Sequence, residues 1–82
     1  MVTDKEELAN LAANLRAAMV RNRWDQLDLE KASGVPQPTI SRVLNGKNDP
    51  ALSVVTRLAK ALKTSIDALV SPPPRKNFRN AS

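Results

Sequence analysis

Eighty-two residues suffice for one small domain, and a chain of this size hides only about 60% of its unfolded surface on folding, so the core is thin. The absence of cysteine and histidine excludes a disulfide framework, a thiolate or imidazole metal cluster, and any nucleophile activated by an imidazole base. Thirteen Lys and Arg against eight Asp and Glu give a net charge of +5, but Arg75, Lys76 and Arg79 lie in an acid-free tail and leave residues 1–70 at only +2, so the charge permits nucleic acid without selecting it over a solvated basic surface.

The run Thr3-Asp4-Lys5-Glu6 has the form of a capping box, in which the Thr3 hydroxyl and the Glu6 carboxylate satisfy opposing free N–H groups at a helix start. Leu8, Leu11, Leu15 and Met19 then recur at helical spacing, which predicts a first helix running to about Asn22 with one buried face, closed by Trp24 as a core plug. Asp25 is placed to cap a short second helix that ends at Ala32 or Ser33, and Gly34 can turn the chain after it at little steric cost. Val35 follows as a buried anchor. Proline is tolerated in a first helical turn, so a third helix is predicted to start between residues 36 and 38 and to end at Asn45-Gly46. Lys47-Asn48-Asp49-Pro50 is turn chemistry, after which Leu52, Val55, Leu58, Ala59 and Leu62 trace the inner face of a fourth helix. Ser65 caps a fifth, whose Ile66, Leu69 and Val70 either complete the core or meet a partner subunit. Ser71-Pro72-Pro73-Pro74 ends regular structure, leaving residues 71–82 as a stiff polar tail. There is no internal repeat and no strand signal, so the fold class expected is all-α.

The informative stretch is residues 24–46, two short helices joined by a tight glycine-containing turn, which is the helix-turn-helix arrangement. Spacing by three and four turns Ile40, Val43 and Leu44 inward and leaves Gln37, Pro38, Ser41, Arg42 and Asn45 on the outer face of the third helix. That face carries no acid and no large hydrophobe. Its chemistry suits a major groove: the Gln37 amide can donate to and accept from adenine, and the Arg42 guanidinium matches the two acceptors of guanine. An ordinary solvated helix face is the bland alternative.

Gln26, Leu29, Ser33-Gly34-Val35, Gln37, Thr39-Ile40-Ser41-Arg42, Asn45-Gly46, Pro50, Leu52, Leu58-Ala59-Lys60-Ala61-Leu62 and Ile66-Asp67-Ala68-Leu69 follow one another at fixed spacing. In these positions the chain resembles the phage repressor and Cro-like helix-turn-helix proteins, the XRE family, over about residues 8–70. The resemblance implies a compact bundle of about five helices, a lambda-repressor-like DNA-binding domain over residues 1–70 with its helix-turn-helix at about 25–45. It also implies roles. Gln37, Pro38, Thr39, Ser41 and Arg42 would contact bases, with Gln37 and Arg42 as the main readers, while Gln26, Asn45, Lys47 and Asn48 would contact backbone phosphate. For Gln26 the alternative is a side chain that merely steadies the third helix, and for Lys47 and Asn48 a solvated turn.

Three departures from the family pattern matter. Glu30 stands where a small alanine is common, so either the second and third helices separate slightly or the carboxylate swings out to water or an arginine. Met19 and Leu44 occupy places where many members carry an Arg and Glu ion pair, and an apolar contact can substitute. Pro36 and Pro38 remove a hydroxyl cap and leave Pro38 only hydrocarbon to offer, such as to a thymine methyl.

The function expected is that of a transcriptional regulator, a repressor gripping a palindromic double-stranded operator as a homodimer. One module of this size buries little DNA, so tight binding calls for two half-sites about 34 Å apart. Ile66, Leu69 and Val70 are the dimer patch expected, unless the core takes them. The proline-rich tail resembles the linker by which larger repressors carry a C-terminal oligomerisation domain; the bland alternative is a disordered end, and a modest phosphate attraction from its basic residues is the sharper one. A different class of function is a protein-interaction module of the same fold, such as an antitoxin holding its partner protein through the last helix. Asp25, Asp28 and Glu30 are the clustered carboxylates, and their spacing suits a solvated helix start better than a metal site, so neither an enzyme nor a cofactor or metal is expected. No apolar run approaches the roughly 20 residues that span a bilayer, and residues 1–7 lack the order of a secretion signal, so no membrane partner and a cytoplasmic location are expected.

Overall fold

Five helices succeed one another in a computed structural model of the chain, which describes residues 4–46 and 49–73: α1 Lys5–Asn22, α2 Gln26–Ser33, α3 Gln37–Asn45, α4 Leu52–Ala61 and α5 Ile66–Val70. Among the described residues there is no strand. Thr3, Lys47, Asn48 and the basic residues of the tail lie outside the described residues.

The first cap differs from expectation. The N-cap of α1 is Asp4, one residue after the threonine, and its carboxylate accepts from the Glu6 N–H at 2.8 Å. A carboxylate here also meets the positive end of the helix dipole, which a threonine hydroxyl cannot do. At the other end Arg23 adopts a left-handed φ of 58°, and the N–H groups of Arg23 and Trp24 close back onto Val20 O (3.1 Å) and Met19 O (2.8 Å). This is the hydrogen-bond pattern of a Schellman turn. Trp24 is only partly buried and packs on the rim of the core, a lid at the helix end and not the plug that its size suggests.

Local chemistry sets the other boundaries as the sequence predicts. Asp25 and Asp28 form a reciprocal capping box, the Asp25 carboxylate accepting from Asp28 N–H at 2.8 Å and the Asp28 carboxylate from Asp25 N–H at 3.0 Å. The Asp28 N–H, the largest cause, holds the Asp25 carboxyl below its ordinary value of 3.8. Two of the three clustered carboxylates are therefore explained as caps. Gly34 ends α2 with φ of 79°, and Gly46 ends α3 with φ of 65°, both in the left-handed region that glycine enters without strain. Ser65 Oγ accepts from Ala68 N–H at 3.0 Å and starts α5.

Leu11, Leu15, Leu29, Val35, Ile40, Val55 and Leu58 are the fully buried side chains, drawn from α1 to α4 and from the turn before α3. Leu52 is an exception to the predicted inner face of α4: it is the first residue of the helix and remains 49% exposed. Met19 and Leu44 both join the core cluster, so apolar burial stands where an ion pair was the family pattern. Glu30 is half-buried.

The short α5 is fastened by two asparagines of α1. Asn14 Nδ2 donates to Leu69 O and Ser71 O, each at 2.8 Å, and lies 3.3 Å from Ala68 O, while Asn10 Nδ2 donates to Val70 O at 3.0 Å. These carbonyls sit at a helix end and have no intrahelical donor. Asn14→Ala removes the shared donor, and we expect it to lower stability by about 1–2 kcal/mol, measured by thermal unfolding followed by circular dichroism. A transition temperature equal to that of the unaltered protein would show that water replaces the amide at no cost.

Candidate nucleic-acid interface

The turn between α2 and α3 is built from three local devices. Ser33 Oγ donates to Leu29 O at 2.7 Å and accepts from Val35 N–H at 3.1 Å, and Gly34 N–H donates to Glu30 O at 2.7 Å. Val35, 1% exposed, pins the turn to the core. Pro36 then holds extended backbone at the N-cap position, and its carbonyl accepts from both Thr39 N–H and Ile40 N–H at 3.0 Å. No side chain caps α3 at this end, as the two prolines imply.

With Ile40, Val43 and Leu44 buried, the apolar side of the helix faces the core. Gln37, Pro38, Arg42 and Asn45 are exposed, and Thr39 and Ser41 are half-exposed along the flanks. Gln37, Ser41 and Asn45 are four residues apart, as are Pro38 and Arg42, so the outer candidates lie together on one strip. No residue of α3 is acidic. Gln26 opens α2, which packs on α3, and its side chain is half-buried.

The candidates on α5 fare differently. Leu69 is 3% exposed and belongs to the core, so it cannot contribute a partner-facing side chain. Ile66 and Val70 are partly buried and packed against the same core. The reason is length: a five-residue helix fastened to α1 and α4 turns most of its apolar side inward.

Two arginines near the strip carry no signal in the local sequence pattern. Arg16, on α1, donates from Nη2 to Leu44 O at 3.0 Å, in the last turn of α3. Arg57, on α4, brings Nη1 to 3.7 Å from the point where a Cβ on Gly34 would stand, so a cation lies over the turn into α3. Both placements arise from tertiary packing between elements distant in sequence.

A helix-turn-helix family model matches residues 15–69, which includes α2, α3 and α4, the C-terminal part of α1 and most of α5. The chain belongs to the XRE family of helix-turn-helix proteins. As an XRE-type protein it falls in a class of DNA-binding transcriptional regulators, and the five-helix architecture agrees with that assignment. Among solved structures it is similar to a hypothetical transcription factor, NHTF, from Neisseria, at 30% sequence identity and a TM-score of 0.76, with 89% of this chain and 85% of that one covered. A search of curated proteins gave no match. No helix among the described residues is long and apolar enough to cross a membrane.

Proposed function

We propose that this XRE-type protein is a repressor that binds a palindromic operator as a homodimer, with α3 as the recognition helix in the major groove. The observation that carries the reading is the division of α3 into a buried side and an acid-free exposed strip that offers an amide and a guanidinium. Gln37 and Arg42 read base edges, Pro38 offers hydrocarbon to a thymine methyl, and Thr39 and Ser41 support them from the flanks. Gln26 and Asn45 hold backbone phosphate, joined by Lys47 and Asn48, which follow α3 in sequence. Residues 1–70 form the reading unit and residues 71–82 a linker or tail. The exposed remainders of Ile66 and Val70 belong to the dimer contact, without Leu69.

Selection of bound duplexes from a random pool tests this reading. Inverted half-sites with centres about 34 Å apart are expected, together with a complex of two chains per duplex in sedimentation. Enrichment of a single unrepeated half-site would remove the dimer, and no enrichment at all would remove the operator.

A further inference from the structure

The last turn of α3 is gripped by one edge of α1. Gly46 lies against it: a Cβ there would stand in ordinary van der Waals contact, 3.8 Å from Leu8 O and 4.0 Å from Ala12 Cβ. One turn further along α1, Arg16 Nη2 donates to Leu44 O at 3.0 Å, and Met19 and Leu44 both belong to the core cluster. The carbonyl matters because the last four of a helix have no intrahelical donor. Gly46 N–H satisfies Val43 O, and the guanidinium satisfies Leu44 O, while its charge meets the negative end of the α3 dipole. Among the described residues Leu44 O is the one partner of this guanidinium.

We propose that Arg16 is a positioning residue for recognition: through Leu44 O it fixes the rotation and tilt of the last turn of α3, and thereby the aim of Arg42 and Asn45. Apolar contacts alone leave this freedom. Ile40, Val43 and Leu44 are rounded hydrocarbon surfaces that tolerate small rotations, whereas a charge-assisted hydrogen bond from a planar group is directional. Arg42 and Asn45 flank the anchored Leu44 in sequence, so a rotation of the last turn carries both away from the positions they hold. Arg16 itself sits on α1 and acts on the strip through the α3 backbone. Its contribution is to selectivity and not to phosphate attraction.

The proposal rests on α3 being the recognition helix, and two readouts separate their failures. In the free protein, Arg16→Met keeps the aliphatic stem and removes the donor, so the amide chemical shifts of residues 42–46 should move while those of α2 stay in place. On DNA, with a duplex selected as above and a scrambled duplex, Arg16→Met should lose roughly three- to tenfold in affinity for the selected duplex. Binding to the scrambled duplex should stay within about twofold and the slope of log affinity against log salt should not change, since no phosphate contact is lost. Arg16→Lys, which retains a single-point donor, should fall between the two and guards against a folding defect in the first variant. Equal losses on both duplexes with a slope smaller by about one would make Arg16 a phosphate contact and overturn the proposal. Unmoved amide shifts would overturn it without touching the recognition reading. Amide shifts that move in Arg16→Met while the wild-type protein prefers no duplex would remove the recognition reading and this role with it.

Discussion

The double substitution Gln37→Ala with Arg42→Ala is expected to erase the preference for a selected duplex over a scrambled one while leaving the protein folded. A well-made bidentate contact to a base contributes about 1–3 kcal/mol of discrimination, and tenfold in affinity corresponds to about 1.4 kcal/mol, so two such contacts account for most of the selectivity of one half-site. Both side chains are exposed on α3, so unfolding should change by no more than about 0.5 kcal/mol for Gln37. Arg42 lies in the last turn of α3, where its charge favours the helix dipole, and its removal adds a further cost of about 0.3–1 kcal/mol. Competition binding at several salt concentrations, with thermal unfolding alongside, checks both halves. Selectivity that survives the double substitution would move base reading away from α3. A parallel loss on scrambled DNA would recast these two residues as backbone contacts.

What was legible in the sequence follows how far each determinant reaches along the chain. Asp25, Gly34, Gly46 and Ser65 announce helix ends because capping and left-handed turns are settled by a few neighbouring residues. The outer strip of α3 was legible for a similar reason: nine residues with three inward apolar positions leave no second way to orient the helix. Thr3 was a misplacement by one residue, since Thr3 and Asp4 are both competent caps and the charge favours the second. Leu52 and Trp24 were misjudged because periodicity shows which side of a helix is apolar and not where the core ends along its axis, and for the same reason Leu69 stayed open between core and partner. Arg16 and Asn14 were beyond reach. Their partners lie 28 and 55 residues away, at Leu44 and Leu69, and an isolated polar side chain on an amphipathic helix looks the same whether it meets water or a distant carbonyl.

Ile40→Ala, three residues from Gln37 on the same helix, is expected to do the opposite of the surface pair: it should lower stability by about 2–5 kcal/mol, the cost of truncating a fully buried aliphatic side chain and leaving a cavity. Folded domains have about 5–15 kcal/mol in all, and a thin core of this size has few neighbours able to relax into the gap, so a partly unfolded population at physiological temperature follows. Urea titration should show a lower midpoint with an unchanged slope. DNA then supplies the discriminating step. A ligand that binds only the folded state stabilises it by about 2.7 kcal/mol when present at 100 times its dissociation constant. The selected duplex should therefore restore much of the lost transition temperature to Ile40→Ala, because its outer strip is intact, and restore none in Gln37→Ala with Arg42→Ala, whose core is intact. If the duplex failed to rescue Ile40→Ala under conditions where it raises the wild-type transition, the buried side of α3 would be shaping the strip directly, and packing and recognition would not be separable on the two faces of this helix.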